Sequence, residues 1–182
     1  MRLLVFGIVC FVGLFACGTK EQETKPQQQT SAPTTIYGTL ADVEGYLQQI
    51  NPHMQEIGRI QLEVDKVVGS TGKATGSNLA PVMKKNRPPL AAVEQALREI
   101  TSPPLLAPFH ANIIKMVTLR LSAYDATIRG NEAENSSGDL SLYVEAETQL
   151  KDANQIIVQL NEEMAKIYQA ISESQPLETA AP

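Results

Sequence analysis

Two cysteines and two histidines are the only thiol and imidazole groups in this chain of 182 residues, so nucleophilic, redox or metal chemistry must pass through very few positions. Cys10 and Cys17 both lie close to the N-terminus. His53 opens His53-Met54-Gln55-Glu56; on a helix, an imidazole and a carboxylate three residues apart share a face and could ligate a cation. His110 extends an apolar series by one four-residue step before Ile114. Met54 lies on another such series, and a thioether with an imidazole is one axial pair that a haem iron accepts.

The surroundings of Cys17 carry the most specific signal. Met1-Arg2 supplies one positive charge, and Leu3 to Ala16 is apolar or glycine throughout. That run is shorter than the roughly 20 residues of a spanning helix and fits the ~7–15 residue apolar core of a secretory signal. It closes on Leu14-Phe15-Ala16-Cys17-Gly18. This resembles the lipobox of bacterial lipoprotein precursors, with Leu at minus three, a small residue at minus one and cysteine at plus one; Phe15 departs from the small or β-branched residue commoner at minus two. The resemblance covers only residues 1–17. It implies cleavage behind Ala16, a thioether-linked diacylglycerol on Cys17, and anchoring at the cell membrane or outer membrane, facing the periplasm or the extracellular side. Each buried methylene contributes about 0.8 kcal/mol, and two or three acyl chains hold where one is marginal. Cys10 leaves with the signal, so the remaining chain has no partner for an internal disulfide. Attachment explains Cys17 better than catalysis, because no structured element surrounds it to lower its pKa.

Behind Cys17, residues 17–35 contain one aliphatic residue, Ala32, and no aromatic one. Such a segment cannot bury enough surface to offset ordering entropy and reads as a disordered tether. The export segment is 1–16, the folded domain is expected over 36–175, and 176–182 reads as a disordered tail.

The fold must be all-α. Leu40, Val43, Leu47, Ile50, Met54, Ile57, Gln61, Val64 and Val68 follow a three-four spacing, opened by the capping-box order Thr39-Leu40-Ala41-Asp42 and ended by Gly69. Tyr143, Ala146, Leu150, Ala153, Ile157, Leu160, Met164, Ile167 and Ile171 repeat it near the other end. Between them, Leu90, Val93, Leu97 and Ile100 predict a helix opened by Pro88-Pro89. Ile114, Val117, Leu121, Tyr124 and Ile128 predict another, irregular around Pro108 and stopped at Gly130. No run alternates with period two. Leaving one such stripe in water would forfeit about 10 kcal/mol, so the stripes must cover one another. Loops at about 70–86, 101–104 and 130–138 suit an up-down-up-down four-helix bundle, and a monomer is preferred to a coiled-coil dimer. Pro52 falls inside the first stripe, which keeps phase across it, so a kinked but continuous helix is expected; the fallback is a new helix capped by Asn51. Gln61 inside one apolar stripe and Arg120 beside another are polar and are expected to set register, with Glu145 or Glu147 as a partner for Arg120.

Set on these elements, the chemistry thins. The segment around His53 and Glu56 is similar to the GxHxxE motif of imelysin-like periplasmic proteins, with Asn51 at the Gly position, but both side chains flank the stripe and read better as a solvated face. His110 reads as a core-edge histidine bonded to backbone freed by Pro108. Pairing it with Met54, in the manner of four-helix b-type cytochromes, would require a cavity that well-filled stripes leave little room for. No C-x-x-C-H, G-x-S-x-G or Glu-x-x-His occurs. The Gly-rich Ser70 to Asn78 lacks the phosphate-loop order and reads as a connection, and Lys84-Lys85-Asn86-Arg87 reads as a solvated loop face. Without Arg2, 14 basic residues face 20 acidic ones, a formal charge of −6 against −5 for the whole chain; this excludes nucleic acid as an expected partner. The reading is a membrane-anchored, non-enzymatic interaction or scaffold module without a cofactor, its protein partner unidentified. The alternative is a bundle that binds metal, haem or a hydrophobic small molecule.

Overall fold

The computed structural model describes residues 32–71, 75–137 and 140–175. The export segment, Cys17, the tether to residue 31 and the tail 176–182 lie outside the described residues. Within them are a small hairpin, β1 (Thr34–Thr35) and β2 (Gly38–Thr39), then α1 (Leu40–Thr71), α2 (Gly76–Glu99), a 3-10 turn (Pro104–Leu106), α3 (Ala107–Ser137) and α4 (Ser141–Ser174). Each helix packs against the next, α3 and α4 most closely, which is the up-down-up-down bundle expected. The last turns of α4 return beside the first turns of α1, where Tyr168 and Ile171 face Leu47 and Asn51 across a shallow groove.

The hairpin draws Thr34 and Thr35, assigned above to the tether, into the fold. Thr35 Oγ1 accepts from the Tyr37 amide at 2.9 Å and donates to the Gly38 carbonyl, and Gly38 turns the chain with φ near +130°. Two residues per strand is too short for alternation to register in the sequence. Thr39 then caps α1: its Oγ1 accepts the Asp42 amide at 3.2 Å while its hydroxyl donates to the Asp42 carboxylate. Helix α1 runs unbroken through Pro52, and every member of its expected stripe is buried or half-buried. Tyr46 and Ile60 are fully buried beside that stripe, because α1 meets more than one neighbour.

Two expected loops are mostly helix. Pro88-Pro89 does not open α2, which begins twelve residues earlier at Gly76 and carries Pro81, Pro88 and Pro89 inside it. Thr75 caps it by accepting the Asn78 amide. Each proline removes one ladder bond, yet the buried residues Ala80, Met83, Asn86, Leu90, Val93 and Leu97 keep helical phase across all three, and that burial outweighs the lost bonds. The basic cluster is therefore helical too. Lys85 pairs with Glu63 of α1 at 2.8 Å, Arg87 clasps Asp125 of α3, and Asn86 is buried, donating to Glu63 and to the Val82 carbonyl.

Gly130 likewise does not stop α3, which continues to Ser137. This helix is the centre of the bundle. Phe109, Ile113, Met116, Val117, Ala123, Tyr124, Ala126 and Thr127 are all buried, on more faces than the single expected stripe would cover. Small residues on α3 let α4 come close: Ala123 and Ala126 pack against Ala146, and the Tyr143 ring lies over both Gly130 and Gly76. A Cβ at Gly130 would stand 2.9 Å from the ring, and one at Gly76 only 1.7 Å from its hydroxyl oxygen. The 3-10 turn supplies the irregularity expected near Pro108, and α3 is regular from Ala107.

Candidate functional site

The cation candidate midway along α1, His53 with Glu56, is taken apart by its neighbours. Both carboxylate oxygens of Glu56 bind the Arg59 guanidinium, at 2.6 and 2.8 Å, and that bond holds the carboxyl below its ordinary range. Glu56 is thus committed to Arg59 rather than to His53. Arg59 also reaches Glu63, whose carboxyl is pulled down to about 2, chiefly by hydrogen bonds from Lys85 and Asn86. Among the described residues no three His, Cys, Asp or Glu side chains gather to hold a metal.

His110 is buried, with 8% exposure, and both ring nitrogens are engaged. Nε2 lies 3.0 Å from the Leu97 carbonyl and Nδ1 3.0 Å from the Tyr46 hydroxyl. A carbonyl only accepts, so Nε2 carries the proton, and the remaining lone pair on Nδ1 accepts from Tyr46. The backbone partner is the Leu97 carbonyl at the C-terminal end of α2, rather than a carbonyl freed by Pro108. No lone pair is left to ligate iron or another metal. Met54 is half-buried against the core, and none of the three hollows described here is lined by Met54 or His110.

Arg120 is 4% exposed. Its partner is Gln61 of α1, whose amide in turn donates to Asp65 at 2.7 Å. Glu145 and Glu147, the carboxylates expected for it, are engaged elsewhere or lie at a groove rim: Gln149 donates to Glu145 at 3.1 Å. Burial lowers the Arg120 pKa, and its Nε and the neighbouring Tyr124 hydroxyl have no hydrogen-bond partner. This polar thread ties α1 to α3 at one height and so sets register, as expected of Gln61 and Arg120.

The feature with room for a partner is a groove of about 1050 Å³ at the end of the bundle where α1 ends and α4 begins. Its floor is Thr127 of α3, 3% exposed, whose hydroxyl is spent on the Ala123 carbonyl. One wall is the capped start of α2, Thr75 to Leu79; the other is α4, with its stripe residues Ala146 and Leu150. Polar groups line the rim: Glu134 accepts the Tyr143 hydroxyl at 2.8 Å, and Glu147, Lys151 and Asn154 follow along α4. Burial, then the bond to Glu134, pushes the Tyr143 hydroxyl up to about 12. Leu140 and Val158 on the rim are more than half exposed. An apolar trough with a polar rim and a pre-formed wall can receive a helix or a hydrophobic molecule.

Sequence reasoning missed this groove, since one wall comes from residues read as loop and the other includes the α4 stripe residues Tyr143, Ala146 and Leu150, which were expected to be covered. The small residues Ala123, Ala126 and Gly130 at three-four spacing were the available signal that α3 and α4 approach closely. Among the described residues no helix is long and apolar enough to cross a membrane. No family model, no curated protein and no solved structure matches the chain.

Proposed function

We propose that this protein is a lipid-anchored, extracytoplasmic four-helix bundle that works by binding another protein and performs no chemistry of its own. Leu14 to Gly18 supports the anchor, with Cys17 as the acylated residue. The groove floored by Thr127 carries the interaction: its apolar lining, exposed apolar rim and scattered polar groups are those of a protein docking surface. It opens at the end of the bundle opposite Ala32, where the chain from Cys17 joins the fold, and is therefore well placed to reach partners away from an anchored end.

A photo-crosslinking residue introduced at Val158, on the groove rim, should give a discrete adduct in native membranes. The same residue at Leu62, an exposed apolar position of α1 that does not line the groove, should give none. Adducts at both positions, or at neither, would contradict the docking role. The same trough could take a hydrophobic small molecule; extraction of a lipid or other apolar compound with the purified protein, lost in Leu150→Glu, would favour that reading.

A further inference from the structure

Resting on the anchored reading, we propose that the opposite end of the bundle docks directly on the bilayer, with Ile36 and Leu105 entering the interface of a zwitterionic phospholipid surface. Ile36, at the hairpin tip, is 75% exposed, the most of any large apolar side chain among the described residues, and Leu105, in the 3-10 turn, is 62% exposed. Neither serves the core. Tyr37 and Leu105 line one hollow of about 670 Å³, so the two tips flank a single opening. Both tips are stiff: the Thr35 bonds hold the hairpin, and Pro103, Pro104 and Pro108 frame the turn. Insertion therefore costs little loop entropy.

The polar groups between the tips are Asp42, Gln49, Thr101 and Ser102, with no lysine or arginine. That lining suits headgroup hydrogen bonding and lacks the cationic cluster that anionic lipid selects. The occupant is argued from the chain outside the fold. Gly18 to Ser31 joins Cys17 to Ala32, immediately before the hairpin. A chain of that length reaches at most about 50 Å when fully extended. An acylated Cys17 then keeps the bilayer at high effective concentration beside these tips, where two apolar side chains suffice that would not recruit a free protein.

The chain contains no tryptophan, so single reporters can be read cleanly. The full chain, isolated from membranes and reconstituted into phosphatidylcholine vesicles with brominated acyl chains, would carry Ile36→Trp, Leu105→Trp or, at the far end, Val144→Trp, where the valine is 65% exposed. The first two should each lose about half their emission to the brominated lipid, as expected for side chains at the headgroup boundary, and the third should keep its emission. Vesicle flotation without quenching at positions 36 and 105, or with equal quenching at 144, overturns the docking while leaving the anchor standing. A chain that does not float removes the anchored reading and this inference with it.

Discussion

At the residue scale, two buried tyrosines of α1 and α3 separate a hydroxyl that is used from one that is not. Tyr46 donates to His110, and its loss would leave a buried nitrogen unpaired; Tyr124 is equally buried with its hydroxyl unpartnered. In urea denaturation Tyr46→Phe should cost about 1–3 kcal/mol, whereas Tyr124→Phe should be neutral or stabilising by up to about 1 kcal/mol. Equal losses would mean that the Tyr124 hydroxyl has a partner. Arg120 follows the same logic. Gln61→Leu should cost about 2–4 kcal/mol by stranding the guanidinium, and adding Arg120→Met should recover most of it. Acid should reveal Glu63. Its carboxyl titrates near 4.5 when free and near 2 in the fold, so its contribution is present above pH 4.5 and is lost as the pH falls toward 2. The pH profile of Glu63→Gln should be flatter in that window.

At the element scale, Gly130 is the sharpest test of how α3 and α4 meet. A glycine inside a helix normally costs about 1 kcal/mol relative to alanine. Here a Cβ would press on the Tyr143 ring and on Leu142, so Gly130→Ala should destabilise by about 1–3 kcal/mol. In a Tyr143→Ala background the sign should reverse. If Gly130→Ala is stabilising on its own, the ring does not occupy that slot.

The terminal helices were legible because each presents one apolar stripe at constant phase, and every stripe residue from Leu40 to Val68 and from Tyr143 to Ile171 is at least half-buried. The middle helices were legible in part: their existence could be read, but not their bounds. Pro81, Pro88 and Pro89 are local helix breakers overruled by the burial of Met83, Leu90 and Leu97, and α3 is covered on more sides than the one stripe it shows. Gly130 signals a helix end by its type; only Tyr143, thirteen residues on, reveals that it serves as a contact. The groove depends on these misread segments, so it could not be read before they were placed. The polar thread was legible in part: Gln61 inside one apolar stripe and Arg120 beside another stood out, but their pairing with each other required the placement of α1 against α3.

At the scale of the whole molecule, the two ends of the bundle have different tasks in this account. The end carrying Ile36 and Leu105 adjoins the chain that leads back to Cys17, while the groove opens at the other. Soluble protein from residue 32 onward should be monomeric by light scattering, since all four stripes are covered within one chain; a stable dimer would assign the groove to a second copy. Membrane attachment rests on Cys17. Cells producing the full chain and its Cys17→Ser variant should be fractionated, and the N-terminal peptide of each product weighed. Wild type should lie in the membrane fraction and begin at an acylated Cys17, and the variant should lack the acyl mass and lose tight membrane attachment, with its helical circular dichroism unchanged. A wild-type chain whose Cys17 is unmodified, or one that is soluble, would contradict the account.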